Sequence, residues 1–389
     1  MVSFKISAPG RIVLAGEHSA MYQKHFVSTS LDRRTKLTFR ELPEGWPIEI
    51  EFPDVNLQIQ VPLEEVRSFF SEEQENQLNL NFRIKYVKSF ITFNGMWQSF
   101  TQRFSLQMFF YLLYSIAVYE KLDIRSFHVH VTTNIPLDAG LGSSTSFAVC
   151  LAACFLHWCR LQSDHHENIE FNHIDFLMDV GVYVKNCEER MQDYQYTQID
   201  TDVCVFGFAT NNLLADNYVE YVFEDFEEMA RIKILLIDSG IRQEKCDQAR
   251  QMAQLKTQSS FAFDYMFNIL NNLSLNMYYW LNLLSINIRN GNLAEQEFYY
   301  EKLQWSIKES RILLQYYSLS DEAFNRIFEI AQIMGYSAKL TGFGPKYAYI
   351  LLPSHITNNE ITEISTHLRN ENYLVISTSI NCDGVRLEN

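Results

Sequence analysis

The sequence predicts an α+β protein of two domains, and three observations support that prediction. At 389 residues the chain is longer than one hydrophobic core usually serves. Hydrophobic residues make up 47% of it, a share typical of globular proteins. Strand and helix patterns are interspersed along its length, as in a two-layer α+β arrangement. The acidic stretch at 220–228 places the boundary near residue 225, which divides the chain into domains of residues 1–225 and 226–389.

The first half begins with strand patterns and continues with helices. Its predicted elements are strands at 4–8, 12–15 (after a turn), 27–29 and 36–39, helices at 62–71 and 97–121, a strand at 127–133, and helices at 144–160 and 174–192. The strand at 127–133 alternates apolar and polar residues, whereas 144–160 is apolar and rich in alanine, cysteine and leucine. The second half is predicted to contain a strand at 233–238, helices at 259–286, 292–318 and 321–335, and strands at 346–352 and 373–379.

Composition excludes several function classes. A net charge of −15 argues against nucleic acid as a partner, because affinity for phosphate backbones comes from clustered lysine and arginine. The longest apolar run, at 106–119, is interrupted by Gln107 and is shorter than the roughly 20 residues of a membrane span. No signal-peptide pattern opens the chain. The seven cysteines form no CxxC pair and are odd in number, so we expect a reducing, cytoplasmic location. Because no membrane span is predicted, we expect no membrane partner.

The strongest local signal is the segment PLDAGLGSSTS at residues 136–146. It follows a predicted strand and precedes a predicted helix. Glycines let backbone N–H groups turn inward, and a helix N-terminus adds free donors and a positive dipole end. Together these features suit the phosphates of ATP. The alternative is an ordinary helix start, since serine and threonine are preferred N-caps, and the segment lacks the lysine of a Walker A motif.

Two other segments sharpen this interpretation. They are APGRIVLAGEH at 8–18 and KLTGFG at 339–344. With 136–146 they form three motifs in an order that resembles the GHMP kinases. The resemblance implies an N-terminal domain like ribosomal protein S5 domain 2 and a ferredoxin-like C-terminal domain. ATP and an alcohol substrate would meet in the cleft between them.

Within that superfamily the chain resembles the mevalonate kinases along nearly its whole length. GEHSAMY at 16–22 is close to their GEHAVVYG, and PDVNLQI at 53–59 resembles their LPNIGI. Glu189-Arg190-Met191 precedes Asp200 by the family's eleven residues. Galactokinases, in contrast, carry an acidic residue where this chain has Ala20.

The resemblance implies a role for each matching position. ATP would transfer a phosphoryl group to mevalonate, giving 5-phosphomevalonate for isoprenoid and sterol synthesis, with Mg²⁺ as cofactor. The implied residues are Asp200 as general base and Arg11 as catalytic cation; Glu17 and His18 for substrate; Asn56, Ala139, Gly140, Gly142, Ser143, Ser144 and Thr145 for ATP; and Ser144 and Glu189 for the metal. Members of the family often form homodimers, an arrangement the resemblance allows here.

Each of these residues also has a plainer interpretation when taken alone. Asp200 could end a loop, and Glu189 shares an acidic helix with Glu188, where a solvated face is the default expectation. His18 could be structural, and Arg11 a surface cation. The resemblance and the spacing, rather than any single residue, favour the functional roles.

Three departures from the family pattern leave alternatives open. The third motif continues into Pro345 and Lys346 instead of a further glycine pair. The family's NPSG turn before the base is YTQI at 196–199, and its TKVPR stretch is SGIRQ at 239–243. The chain therefore fits an active mevalonate kinase, a GHMP kinase for another small alcohol, or a catalytically weakened ligand-binding paralogue. An active kinase would keep Arg11, Ser144, Glu189 and Asp200, and all four are present.

Overall fold

The described part of the chain contains helices and strands in a mixed order. The computed structural model describes residues 1–16, 22, 24–71, 80–137, 139–162, 171–191, 197–210, 212–213, 219–220, 229–241, 245–341 and 347–388. The helices are α1 (Leu63–Ser71), α2 (Leu80–Phe93), α3 (Phe100–Glu120), α4 (Ser143–Gln162), α5 (Ile174–Met191), α6 (Thr197–Phe206), α7 (Lys245–Gln258), α8 (Ser260–Arg289), α9 (Leu293–Tyr316), α10 (Asn325–Ile333) and α11 (Asn358–Asn370). The strands are β1 (Ser3–Ala15), β2 (Val27–Glu41), β3 (Ile48–Phe52), β4 (Leu57–Val61), β5 (Phe127–Thr133), β6 (Phe208–Thr210), β7 (Asn212–Leu213), β8 (Val219–Glu220), β9 (Ile232–Asp238), β10 (Ala338–Leu340), β11 (Tyr347–Leu351), β12 (Leu374–Ile380) and β13 (Arg386–Glu388).

The sheet of the first half is built around the long strands β1 and β2. They pair antiparallel from Ser3 opposite Arg40 to Ala15 opposite Val27. β2 also pairs with β5, β5 pairs in parallel with β3, and β3 pairs with β4. Helices α3, α4 and α5 cover this sheet, and their apolar faces form its core. The strand β13, at the end of the chain, adds to the free edge of β1.

The strands of the second half continue the same sheet, because β12 lies next to β2. They have the ferredoxin-like order β12-β9-β11-β10, which is fourth, first, third and second along the chain, and all neighbours are antiparallel. Helices α10 and α11 pack on one face. The predicted α+β class, with an S5-like half followed by a ferredoxin-like half, is confirmed.

The two halves meet through a shared apolar cluster. It joins Ile12 and Leu14 of β1 to Leu281 of α8 and Tyr349 of β11. The Tyr349 hydroxyl donates to the carbonyl oxygen of Leu14 at 2.8 Å, and Ile380 of β12 pairs with Leu31 of β2. The predicted boundary at residue 225 lies outside the described residues.

Some predicted elements differ from the observed ones. The strands predicted at 4–8 and 12–15 are one strand, because the expected turn at Pro9 and Gly10 is a shift in the β1–β2 register. The strands predicted at 27–29 and 36–39 are likewise one strand, β2. Among the described helices, α4 is long and apolar enough to span a membrane, yet most of it is buried within the protein, as a core helix is.

Candidate active site

The glycine-rich loop before α4 lies against the middle of β1. The backbone N–H of Arg11 donates to the carbonyl oxygen of Leu141 at 2.8 Å. A Cβ added to Gly10 would lie 2.8 Å from that oxygen, and one added to Gly142 would lie 2.7 Å from Arg11 Cγ. Both approaches are too close for a side chain, so these positions need glycine. The segments at 8–18 and 136–146 therefore contact each other.

The loop ends by starting α4 in a geometry that suits an anion. Gly140 and Gly142 have φ of 68° and 76°, in the left-handed region. The carbonyl oxygen of Gly142 accepts the first helical hydrogen bond, from Ser146 N at 2.9 Å. The N–H groups of the first turn of a helix have no acceptor within the helix, and they carry the positive end of its dipole. The Ser146 hydroxyl donates to Ala8 O at 2.7 Å, which fixes this helix start to β1.

A cavity of about 600 Å³ opens directly on this loop. Its polar lining includes Arg11, Asp54, Ser143 and Ser144, together with Gly140 and Gly142. The apolar lining includes Phe52, Val55, Phe104, Met108, Val131 and Phe147. A cavity of this size with an anion site and an aromatic wall suits a ligand that has a flat apolar part and a charged part.

The aromatic wall is held by contacts between elements. Phe52 of β3 and Phe147 of α4 meet edge to face, with ring centroids 5.1 Å apart. The Gln102 side chain, in the capping box that begins α3, donates to the carbonyl oxygens of Val55 and Asn56. These bonds hold the turn after β3 against the start of α3.

Comparisons with known proteins agree with this geometry. The family model for the GHMP kinases N terminal domain matches residues 111–177. A mevalonate kinase of Candida albicans is 26% identical over 157 residues, which are 39% of this chain and 36% of that protein. A mevalonate kinase of Dictyostelium discoideum is 21% identical over 403 residues, covering 98% of this chain and 96% of that protein. The crystal structure of the Methanococcus jannaschii mevalonate kinase superposes with a TM-score of 0.66 at 16% identity, covering 100% of this chain and 99% of that one.

The chain resembles the GHMP kinases in sequence and has their fold. Its relatives include mevalonate kinases, as the sequence motifs predicted. The matched segment, 111–177, contains the glycine-rich loop and the start of α4.

The structure brings most of the predicted ATP-binding residues to one cavity. It is lined by Ala139, Gly140, Gly142, Ser143 and Ser144, and also by Arg11, the predicted catalytic cation. Two others lie beside it. Asn56 is exposed, with φ of 53°, and follows the lining residue Val55. Thr145 is buried next to Ser144, and its hydroxyl points away to a carboxylate.

The two predicted metal ligands have different surroundings. Ser144 lines the cavity, whereas Glu189 is exposed and is not part of the lining. Its neighbour Glu188 is fully buried and accepts a hydrogen bond from the Thr145 hydroxyl at 2.7 Å. The solvated face expected for both glutamates is therefore wrong for Glu188. The missed signal is helical spacing, because Glu188 shares a face with the buried residues Val180 and Val184.

Several predicted positions fall outside the described residues. Glu17, His18 and the glycines of the third motif, Gly342 and Gly344, are among them. Asp200 lies in α6 by its backbone, and its side chain is outside the described part. The roles of all these residues stay predictions.

Proposed function

We propose that this chain is a kinase that transfers a phosphoryl group from ATP to the hydroxyl of mevalonate, giving 5-phosphomevalonate and ADP for isoprenoid and sterol synthesis. The observation that carries the proposal is the contact between Arg11 and the glycine-rich loop, which gives one cavity a buried cation and a helix N-terminus. The mevalonate kinase relatives support the choice of substrate.

The cavity offers each part of ATP a matching surface. The loop amides and the hydroxyls of Ser143 and Ser144 would donate to phosphate oxygens, and the aromatic wall would receive the base. Arg11 would stabilise the negative charge that spreads over the transferring phosphoryl group. Its side chain is only 8% exposed, so little solvent screens that charge.

Asp200 is the proposed general base, and Glu17 and His18 are the proposed contacts to mevalonate. The carboxylate would accept the proton of the attacking hydroxyl late in the transfer, so that alignment supplies much of the rate. Four residues after His18, Tyr22 meets the rings of Phe263 and Phe267 of α8, each at 4.8 Å between centroids.

Mg²⁺ is proposed as the cofactor, although the described residues fit it only in part. Bound with ATP, it would neutralise charge on the phosphate oxygens. Ser144 is placed to contribute a hydroxyl oxygen, whereas Glu189 is exposed and outside the cavity lining. The assignment of Glu189 therefore rests on the family spacing alone.

Two further expectations concern the protein in its cell. A cytoplasmic location is supported by the cysteines of the described residues, which include six free thiols. The homodimer stays a prediction of the family resemblance.

A second candidate function is a ligand-binding paralogue without turnover. The exposed position of Glu189 favours it, as does the presence of Pro345 and Lys346 where the family's third motif continues into a further glycine pair. Such a protein would bind nucleotide in the same cavity and release no ADP.

One experiment separates these functions. We expect ADP release, in a coupled assay with ATP and Mg²⁺, to depend on mevalonate and not on galactose, homoserine or phosphomevalonate. Release with another of these alcohols would change the substrate. Nucleotide binding without release for any alcohol would favour the paralogue.

Asp200→Asn is the informative variant in that assay, and Asp202→Asn is its matched partner. Residues two positions apart on a helix point about 200° away from each other, so only one of the two can face the cavity. Asp202 is 3% exposed. We expect Asp200→Asn to lower kcat by roughly 10²–10⁴-fold without loss of ATP binding. Asp202→Asn should instead lower the melting temperature, and the reverse pattern would transfer the role of base to Asp202.

A further inference from the structure

A buried carboxylate lies between the two segments that the proposed reaction must align. Glu188 of α5 is 0% exposed. One of its carboxylate oxygens, Oε1, accepts from the Thr145 hydroxyl at 2.7 Å, and the other, Oε2, accepts from the Thr201 hydroxyl at 3.4 Å. All three side chains are buried.

The positions of the two threonines give this contact its significance. Thr145 lies in the first turn of α4, next to the cavity-lining Ser144. Thr201 lies in α6, next to Asp200 in sequence. Glu188 therefore joins the helix start proposed to hold phosphate to the helix that carries the proposed base.

Burial of a carboxylate is unfavourable unless charged or polar partners replace water. Here two hydroxyl groups donate to it, that of Thr145 at 2.7 Å and that of Thr201 at 3.4 Å. An apolar residue at position 188 would continue the buried face of Phe176, Val180 and Val184 without that cost. The presence of a carboxyl group at this buried position therefore suggests a use beyond packing.

Glu188 is a poor alternative to Glu189 as a metal ligand. Both of its oxygens accept hydrogen bonds from threonines, and it is absent from the cavity lining. Its position between α4 and α6 suits a residue that holds its neighbours in place better than one that contacts the ligand.

We propose that Glu188 is a positioning residue which, through Thr145 and Thr201, fixes α6 relative to the phosphate-binding start of α4. The proposal rests on the proposed kinase function for its effect on turnover. The hydrogen-bonded link between the three residues does not depend on that function.

The test compares Glu188→Gln and the milder Thr201→Val with the wild type. Glu188→Gln keeps the size of the side chain and removes its charge, and Thr201→Val removes one donor. We expect each to lower kcat roughly 10- to 100-fold with little change in KM for ATP, because misalignment affects transfer more than nucleotide binding. The double variant should lose little more than Glu188→Gln alone.

Ser274→Ala is the matched control. It removes a buried hydroxyl that donates to Leu270 O at 2.9 Å in α8. We expect it to lower the melting temperature and leave kcat unchanged. If the Glu188 and Thr201 variants behave as this control does, Glu188 is structural only and the proposal is wrong.

Hydrogen exchange keeps the test independent of activity. In Glu188→Gln, peptides covering the start of α4 and α6 should exchange faster, while those of α8 should not change. Unchanged exchange in α6 would overturn the proposal even in an active enzyme. A wild type without turnover but with this exchange pattern would instead refute the kinase function and preserve the link.

Discussion

Among the described residues that line the cavity, Arg11 is the only lysine or arginine. The whole chain carries a net charge of −15, so an anionic ligand approaches against an unfavourable long-range field. A buried cation acts at short range and with less screening than an exposed one. At the residue scale, the acidity of the chain and its proposed affinity for ATP are therefore compatible.

His157 gives a prediction about pH. It is half-buried on α4, edge-on to Phe4 with ring centroids 4.8 Å apart. Burial lowers the pKa of its imidazole from 6.5 to about 4, and the charge of Arg160 adds to the effect. The unfolded state therefore binds the proton more readily than the folded state does. This difference leaves the free energy of unfolding unchanged above pH 6.5 and lowers it as the pH falls from 6.5 towards 4.

We expect the free energy of unfolding, from urea titrations at pH 7, 6 and 5, to fall less steeply with pH in His157→Phe than in the wild type. Phenylalanine keeps an aromatic ring at this position and removes the titration. Parallel curves for the two proteins would contradict the assignment.

Single residues also mark the limit of prediction from this sequence. The motif residues Arg11, Gly140 and Ser144 were found because glycine spacing and family motifs are local signals, and they line one cavity. Glu188 was missed because its charge suggested solvent, whereas its burial depends on which face of α5 packs inward. Burial of a charged side chain depends on tertiary contacts, which sequence spacing reports only weakly.

At the scale of elements, the start of α4 is the unit that matters most for ligand binding. Gly142→Ala would place a Cβ 2.7 Å from Arg11 Cγ and hold alanine at a φ of 76°. We expect the Kd for a non-hydrolysable ATP analogue to rise about tenfold, equivalent to roughly 1.4 kcal/mol, by calorimetric titration.

Gly45→Ala is the control for backbone strain. Gly45 has φ of 85°, and nothing lies within 4 Å of an added Cβ. Both substitutions place alanine in the left-handed region, at a cost of roughly 1 kcal/mol. Only the Cβ added at position 142 would also contact Arg11, against which the loop packs. An equal loss of affinity in both variants would contradict a specific role for the loop.

Some elements were predicted at or near their observed bounds, whereas others were missed, among them the alternating strands β3 and β4. The strand at 127–133 is observed at the predicted bounds, and the helix predicted at 174–192 is observed as Ile174–Met191. α11 was missed, although Thr357 and Glu360 form a capping box at its start. Gly10 was read as a turn because its tight approach to Leu141 involves residues far away in sequence.

At the scale of the whole molecule, residues 383–385 pack against the first half of the protein. The buried guanidinium of Arg34 donates to the carbonyl oxygens of Asp383 (2.8 Å) and Gly384 (2.6 Å), and to Ser7. Val385 N donates to Val205 O of α6 at 3.1 Å. The end of the chain, though last in sequence, therefore packs on the first half, which a boundary drawn along the sequence does not predict.

We expect Arg34→Met to lower the free energy of unfolding by roughly 3 kcal/mol, because it leaves several buried acceptors without their charged donor. Urea denaturation measures the change. Arg125→Met, which removes an exposed pair with Asp123, should cost roughly 0.5 kcal/mol and serves as the control. Similar losses in the two variants would show that the chain end is not held by Arg34.

The placement of ATP is tested most directly by a crystal structure of this protein with a non-hydrolysable ATP analogue and Mg²⁺. The proposed function predicts that the phosphates accept hydrogen bonds from the N–H groups between Gly140 and Thr145. It also predicts the base against the aromatic wall and the Asp200 carboxylate facing the terminal phosphate. A nucleotide bound elsewhere, or phosphates out of reach of these amides with Asp200 turned away, would contradict it.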